Sequence, residues 1–312
     1  MASVGAYCHK VRLVVLIHRV VDILLQHKTS CPYNNICINE YGLCPAARVL
    51  IMKIAVCGKG GVGKTFIAAG LAEQYARLGH AVLAIDADSS PNLALSLGLS
   101  QKEASRIISL AENEDLIRLK TGTEYSGVFR LTFTVDDIIA RHAVKTPAGP
   151  GLLVMGTVKA MGSGCTCPAH SVIKALMRHL VVEREEIVIL DMEAGIEHLG
   201  RGTAEHVDML LVVTDANRKS RETAAAIIRL ARESDIPKIS LVGNRIASER
   251  QREILQSFAD EQHVLLAAGI PFDPQVAEAG ITGEPLPAVP CLASEAVRVL
   301  AGDLLAQKSR GT

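Results

Sequence analysis

The feature that most constrains the fold of this chain is a glycine-rich loop between an apolar run and a helical pattern. The loop, GKGGVGKT at 58–65, fits G-x-x-x-x-G-K-[ST]. KIAVCG (53–58) precedes it and is typical of a buried strand, while the residues from Lys64 to about Leu78 predict a helix. Because this motif binds phosphate in a strand–loop–helix context, we predict a nucleotide site here.

The chemistry of this loop follows from its residue types. Backbone N–H groups of a glycine-rich turn surround phosphate oxygens, and the start of the helix adds its partial positive charge. We predict that Lys64 binds the β- and γ-phosphates and that the Thr65 hydroxyl binds Mg²⁺. The predicted nucleotide-binding residues of this region are Gly58, Lys59, Gly60, Gly61, Val62, Gly63, Lys64, Thr65 and Phe66.

The rest of the chain alternates between apolar runs and amphipathic stretches. Amphipathic stretches predict helices, among them one at 101–113, whereas 114–150 shows no regular pattern. The further predicted strands are AVLAID (81–86), LLVMGTV (152–158), IVILD (187–191), MLLVVTD (209–215) and ISLVGN (239–244). Since these runs are continuously apolar, both faces of the sheet should be covered. We predict an α/β fold: a single P-loop NTPase domain with a mostly parallel sheet and helices on both faces.

The first part of the chain differs in character from the rest. The ATPase domain is predicted at 52–312, since a methionine directly precedes the first strand there. Three interpretations are open for residues 1–51: a start site assigned too early, a regulatory or docking extension, or a metal site on Cys31, Cys37 and Cys44. The spacing of these cysteines matches no common zinc pattern.

The composition argues against several classes of protein. The chain has 33 basic and 33 acidic residues, so no overall charge favours nucleic acid or an anionic membrane. Aromatic residues make up 3% and there is no Trp, which disfavours stacking on bases. The eight cysteines are unevenly spaced, which indicates reduced thiols or metal ligands. No apolar run approaches the length that a membrane-spanning helix needs. We therefore predict a cytoplasmic protein with no nucleic-acid and no membrane partner.

Lys59 is a second lysine that phosphate binding does not require. The segment KGGVGKT resembles the deviant Walker A loop of the septum-placement (MinD), partition (ParA) and nitrogenase iron-protein ATPases. The resemblance implies a homodimer in which Lys59 reaches the partner's nucleotide and takes part in catalysis. A solvated loop lysine is the alternative.

Acidic residues follow two of the predicted strands, in IDADSSPN and IVILDMEAG. Carboxylates at such strand ends, beside a phosphate site, can hold Mg²⁺ or orient water. By resemblance, Asp88 positions the attacking water and Asp86 lies nearer the metal shell. Asp191 is predicted to bind Mg²⁺ through water, and the Gly195 N–H to contact the γ-phosphate. Plain strand-end caps are the alternative for Asp86 and Asp191.

Two later segments are candidates for binding the base. Asn244 ends the predicted strand at 239–244, and its amide can pair with the edge of adenine. IPFDPQVAEAG (270–280), which contains Pro271, resembles the segment that packs against adenine in these ATPases. A simple turn residue is the alternative for Asn244.

The loop GSGCTCPAH (162–170) carries two cysteines. In an extended backbone residues i and i+2 lie on the same side, so Cys165 and Cys167 can direct both sulfurs at one ion. Two thiolates leave a four-coordinate site incomplete, whereas a two-fold dimer supplies four. Such a site suits Ni²⁺ or Zn²⁺. Buried structural cysteines and a redox pair are the alternatives.

Several segments together resemble the CooC-type ATPase family: MKIAVCGKGGVGKT, AIDADSSPNLA, GSGCTCPAH and DMEAGIEHLGRGTAEHVDMLLVV. The resemblance spans roughly Met52 to the C-terminus, and residues 1–51 lie outside it. It implies an ATP-hydrolysing homodimer that binds Ni²⁺ or Zn²⁺ through Cys165 and Cys167. It also implies that the protein assists nickel insertion into carbon monoxide dehydrogenase, with acetyl-CoA synthase as an alternative client.

Two other functions are open from the sequence. A positioning ATPase of the MinD or ParA type shares the loop, but 292–308 mixes both charge signs and predicts a packing helix instead of a basic membrane helix. An iron–sulfur reductase-like ATPase would also use two cysteines per subunit, although in the nitrogenase relatives those two lie far apart in sequence.

Overall fold

The structure is a computed structural model. The chain divides into two units, Met1–Arg48 and Val49–Thr312. In the first unit, β1 (Ile38–Asn39) and β2 (Gly42–Leu43) pair antiparallel. The residues that the structure describes are 38–39, 42–43, 51–88, 90–113, 115–116, 135–156, 177–179, 186–193, 206–282 and 291–310.

Within the described residues, the second unit is built on one eight-stranded sheet. Its strands are β3 (Met52–Gly58), β4 (Val82–Ala87), β5 (Val144–Lys145), β6 (Gly151–Val154), β7 (Ile187–Met192), β8 (Met209–Thr214), β9 (Ile239–Ile246) and β10 (Leu265–Pro271). Over the described residues they lie in the order β10-β9-β8-β3-β7-β4-β6-β5. Neighbouring strands are parallel except β5, which runs antiparallel to β6. The phosphate-loop strand β3 therefore lies between β8 and β7, away from both edges.

Helices connect and cover these strands, as a parallel sheet requires. The described helices are α1 (Lys64–Arg77), α2 (Leu93–Ser96), α3 (Gln101–Ala104), α4 (Val135–His142), α5 (Arg218–Glu233), α6 (Glu249–Glu261), α7 (Pro274–Thr282) and α8 (Leu292–Arg310). None of them is long and apolar enough to cross a membrane.

The hydrophobic core lies in two layers, one on each face of the sheet. In one layer, strand residues pack with Ile227 of α5 and Phe258 of α6. In the other, they pack with Leu71 of α1 and Leu300 of α8. Strands β3, β4, β7 and β8 are buried at every residue because helices cover both faces. The predicted α/β class, with a mostly parallel sheet and helices on both faces, is confirmed.

Several local predictions differ from the structure. The helix α4 forms within 114–150, where no regular pattern was predicted, and the strand predicted at 152–158 ends at Val154. The helix predicted at 101–113 is only α3 and a 3₁₀ turn at Leu110–Glu112. Serine hydroxyls interrupt it: the Ser105 Oγ–H donates to the Lys102 carbonyl at 3.1 Å, and Ser109 turns to its own local partner, Glu112. The edge strand β10 was not predicted as a strand, because its Ala-Ala-Gly centre has low β-propensity.

Candidate functional site

The glycine-rich loop joins β3 to α1 at the carboxyl edge of the sheet. Gly63 precedes α1 with φ 92°, and α1 has no side-chain cap and no acidic residue in its first turn. The N-cap residue therefore supplies no side-chain acceptor for the first N–H groups of α1, which leaves them available to bind a phosphate. At the start of the loop, a Cβ on Gly58 would lie 2.2 Å from the Val213 carbonyl oxygen, so only glycine fits there.

Asn244, at the end of β9, holds the loop from the side. Its Nδ2 donates to the Val62 carbonyl at 2.7 Å, and its Oδ1 accepts the Arg245 N–H at 2.9 Å. Asn244 is buried, and a Cβ on Gly63 would lie 2.2 Å from its Nδ2. The structure therefore places Asn244 against the phosphate loop, while its pairing with adenine stays a prediction.

Lys64 and Asp88 form an ion pair at the start of α1. Lys64 Nζ lies 3.6 Å from Asp88 Oδ2, and their side chains are 6% and 20% exposed. Lys64 needs a negative partner at this depth because burial penalises an unpaired charge. A triphosphate that binds the loop would compete with Asp88 for this lysine.

Asp191 lies beside this pair, on β7, with its side chain buried. Over the described residues, neither of its carboxylate oxygens has a hydrogen-bond partner of normal geometry. Burial is the largest cause that raises its pKa, to about 7, and the charges of Asp86 and Asp88 act in the same direction. The Thr65 hydroxyl and Lys64 oppose this shift. A buried carboxylate in this state is stabilised by a cation or by water bound to one.

Asp86 is the register partner of Asp191 on the neighbouring strand β4. Its side chain is fully buried, and both oxygens accept backbone N–H groups, from Asp88 at 3.2 Å and from Leu93 at 2.9 Å. Burial raises its pKa to about 6, against the lowering effect of these hydrogen bonds. The two aspartates therefore share a register position and differ in hydrogen bonding.

The residues present fit Mg²⁺ bound together with a nucleotide. No group of three or more His, Cys, Asp or Glu side chains holds a metal by itself in the described part of the chain. Mg²⁺ prefers oxygen ligands and keeps several waters, so phosphate oxygens, the Thr65 hydroxyl and waters near Asp191 would complete its shell. Within the part of the chain that the structure describes, the buried Asp191 oxygens lack a hydrogen-bond partner of normal geometry, and this observation supports the fit.

The remaining predicted residues fall in different places. Lys59 is half-buried, and Gly60 and Gly61 are exposed at the tip of the loop. Phe66 packs against the core layer that contains Leu71 of α1. Pro271 ends β10 opposite Ile246 of β9. The predicted metal ligands Cys165 and Cys167, and the predicted γ-phosphate contact Gly195, lie outside the described residues.

One organising residue, Asp273, was missed in the sequence. Its Oδ1 accepts the Gln275 N–H at 3.0 Å at the start of α7, and its Oδ2 accepts the Ala293 N–H at 3.4 Å at the start of α8. It therefore holds the segment after Pro271, which was predicted to pack against adenine. The D-P pair is a helix-start signal, but the bond to α8 joins residues too far apart in sequence for any local pattern.

Comparison with known proteins agrees with this geometry. The sequence model of the CbiA family, described as the CobQ/CobB/MinD/ParA nucleotide binding domain, matches residues 53–286. The carbon monoxide dehydrogenase accessory protein CooC of Rhodospirillum rubrum is 43% identical over 234 residues, which are 74% of this chain and 88% of that protein. An uncharacterized ATP-binding protein of Methanocaldococcus jannaschii is 39% identical over 75% of this chain and 91% of its own length.

Among solved structures, the MinD cell division protein of Aquifex aeolicus is similar in fold. It has a TM-score of 0.58 and 23% identity, over 82% of this chain and 96% of that chain. The fold and the site thus define a P-loop ATPase of the CobQ/CobB/MinD/ParA class. More particularly, the chain belongs to the CooC-type ATPases of that class, as its sequence motifs predicted.

Proposed function

We propose that this chain is a Mg²⁺-dependent homodimeric ATPase that binds Ni²⁺ or Zn²⁺ and assists nickel insertion into carbon monoxide dehydrogenase. The observation that carries the proposal is the 43% identity to the accessory protein CooC, which extends over 88% of that protein. The C-x-C loop supplies the metal chemistry that such a function needs.

The nucleotide site supports the hydrolytic part of this proposal. The triphosphate is bound by the loop N–H groups and by Lys64, which exchanges Asp88 for phosphate oxygens. Asp88, released from the ion pair, accepts a hydrogen bond from the water that attacks the γ-phosphorus. The bond to the β-phosphate oxygen breaks, and ADP and phosphate leave. Mg²⁺ near Thr65 and Asp191 would neutralise charge on the phosphates.

The metal part depends on two copies of the chain. In this proposal Lys59 of each subunit contacts the nucleotide of the other, so binding of ATP closes the dimer. Closure brings Cys165 and Cys167 of both subunits around one ion and completes a four-sulfur site. Hydrolysis would open the dimer and weaken the site, which is how nickel would be released to the client enzyme.

The test is metal binding by the full chain with and without a non-hydrolysable ATP analogue. We expect about one Ni²⁺ or Zn²⁺ per dimer, and a higher affinity with the analogue. The double variant Cys165→Ala/Cys167→Ala should lose this metal while it keeps most of its ATPase activity. Analytical ultracentrifugation of the same samples reports whether the analogue produces the dimer.

Cys291→Ser is the matched control. Cys291 is a buried free cysteine at the start of α8 with Asp273 as its side-chain partner, so serine can keep a polar contact there. This variant should bind metal like the wild type. Metal retained by the Cys165→Ala/Cys167→Ala variant would remove the C-x-C site from the proposal.

A further inference from the structure

The hydrogen bonds of Asp86 close a turn at the end of β4. Its Oδ1 accepts the Asp88 N–H at 3.2 Å and its Oδ2 accepts the Leu93 N–H at 2.9 Å, where α2 begins. Asp88 continues the same turn, because its own Oδ1 accepts the Ser90 N–H at 2.9 Å. The Asp86 side chain thus joins the strand, the backbone of Asp88 and the first turn of α2.

The comparison with Asp191 shows which carboxylate needs an external ligand. The two residues occupy the same register position on adjacent strands, and both are buried. Within the described residues, neither oxygen of Asp191 has a hydrogen-bond partner of normal geometry, although the Thr65 hydroxyl lowers its pKa. Asp86 has a backbone N–H donor on each oxygen. The two N–H groups offset part of the cost of burying the charged form of Asp86, whereas no such backbone donors are present for Asp191 within the described residues. The demand for a cation therefore falls on Asp191.

Two contacts fix the position of Asp88, one through its backbone and one through its side chain. Its backbone N–H is bound to Asp86, and its Oδ2 lies 3.6 Å from Lys64 Nζ. A small movement of the Asp88 backbone would carry its carboxylate away from the phosphate loop. Catalytic groups lose much of their effect when they are displaced by about 1 Å.

We propose that Asp86 is a positioning residue, which holds the turn at 86–93 so that Asp88 faces the nucleotide, and that it is not a ligand of the metal shell. The inference rests on the proposed role of Asp88 in ATP hydrolysis. It differs from the expectation from sequence that Asp86 lies nearer the metal, and it gives the metal-facing role to Asp191 instead of Asp86.

The first experiment is a double-mutant cycle on the full chain with Asp86→Asn, Asp88→Asn and the double variant, in single-turnover ATP hydrolysis at varied Mg²⁺. Asn keeps one acceptor but sets an amide against a backbone N–H. We expect Asp86→Asn to lower the maximal rate about tenfold or more, with the half-saturating Mg²⁺ concentration changed less than about twofold. In the Asp88→Asn background it should change the rate less than about twofold, because it acts through Asp88.

The overturning result is a raised Mg²⁺ requirement in Asp86→Asn, or losses that multiply in the double variant. Asn92→Ala is the control in the same turn: the Asn92 Nδ2 donates to the Ser90 carbonyl at an exposed position, and this variant should hydrolyse ATP within about twofold of the wild type.

A second experiment needs no variant and so is independent of any failure to fold. Hydrogen exchange of the wild-type chain is followed alone, with Mg²⁺, and with Mg²⁺ and a non-hydrolysable ATP analogue. The amides of Asp88 and Leu93 should stay protected in all three states. Their loss of protection with Mg²⁺ and analogue would show that Asp86 leaves the turn for the metal. If the wild-type protein did not hydrolyse ATP, the proposed function would be overturned. The exchange result would still show whether Asp86 keeps its hydrogen bonds to Asp88 and Leu93.

Discussion

The two ends of the parallel strands, called here the amino edge and the carboxyl edge of the sheet, differ in how their charged side chains are paired. At the amino edge, Asp208 accepts the Lys53 backbone N–H and the Lys308 ammonium, each at 2.8 Å, and Lys53 Nζ donates to the Glu186 carbonyl at 3.3 Å. At the carboxyl edge, Asp191 is buried, and neither of its oxygens has a hydrogen-bond partner of normal geometry within the described residues. The same sheet therefore carries satisfied charges at one edge and an unsatisfied carboxylate at the other.

The difference separates charges that stabilise the fold from charges that bind a ligand. The Asp208–Lys308 pair connects the C-terminal helix α8 to the end of the sheet, and its atoms are already matched. At the opposite edge, burial and neighbouring negative charge raise the pKa of Asp191 to about 7, a shift of the kind that is common at ligand-binding and catalytic sites.

Substitution of one lysine at each edge should give the largest contrast. Lys64→Ala removes the buried charge that faces the phosphates, so we expect the ATPase rate to fall about 100-fold or more, as when a single preorganised donor is removed. Lys308→Ala at the amino edge should leave the rate within about twofold. The measurement is steady-state phosphate release at saturating Mg²⁺ and ATP. Equal losses of ATPase rate in the two variants would contradict the conclusion that ligand-binding charges lie at the carboxyl edge and stabilising charges at the amino edge.

The pH dependence of stability should follow the carboxyl edge. The folded-state pKa of Asp191, about 7, lies above its ordinary value of 3.8, so between these pH values the folded protein holds a proton that the unfolded chain has released. This stabilisation is complete below about pH 4 and is lost as the pH rises through 7. In EDTA and without nucleotide, the Tm should therefore fall from pH 5 to pH 8.

Asp191→Asn sharpens this test because it removes the charge without changing the shape. Its Tm at pH 8 should exceed that of the wild type by about 4 °C or more, since each kcal/mol shifts Tm by about 2–4 °C in a domain of roughly this size. Asp86 adds a smaller slope of the same sign that should remain in this variant. If the Tm difference between pH 5 and pH 8 were the same in Asp191→Asn and in the wild type, the assignment of this pH dependence to Asp191 would be contradicted.

The contact between Asn244 and the phosphate loop predicts a smaller effect on binding. Asn244→Asp places a carboxylate oxygen against the Val62 carbonyl, where Nδ2 now donates at 2.7 Å. We expect about a tenfold loss of ATP affinity, equal to about 1.4 kcal/mol. Gln256→Glu makes the same chemical change at an exposed position on α6 and should bind ATP normally. Titration with a fluorescent ATP analogue measures both.

The smallest predicted effect on activity belongs to the amino edge. Asp208→Ala removes the acceptor of two hydrogen bonds, so the free energy of unfolding should fall by about 1–3 kcal/mol. The ATPase rate at 25 °C should stay within about twofold of the wild type, because none of these atoms lies at the carboxyl edge. Urea unfolding and phosphate release measure the two quantities. A loss of activity with unchanged stability would contradict a stabilising role for Asp208.

The local sequence already determined the class of the fold and most of the nucleotide loop. Continuously apolar strands predict a parallel sheet covered on both faces, and G-x-x-x-x-G-K-[ST] after the first of them predicts the loop before α1. These predictions succeed because each depends on residues a few positions apart, whose burial pattern and backbone freedom are local properties.

Only the tertiary structure decided the roles of the charged and polar residues around that loop. In the sequence, Asp86 and Asp191 are both aspartates near strand ends. The sheet pairs them in register and, among the described residues, backbone donors bind Asp86 and not Asp191. Asn244 contacts Val62 across 182 positions of the chain. Whether a buried polar atom has a partner depends on which segments meet in space, and no local pattern of residues specifies that.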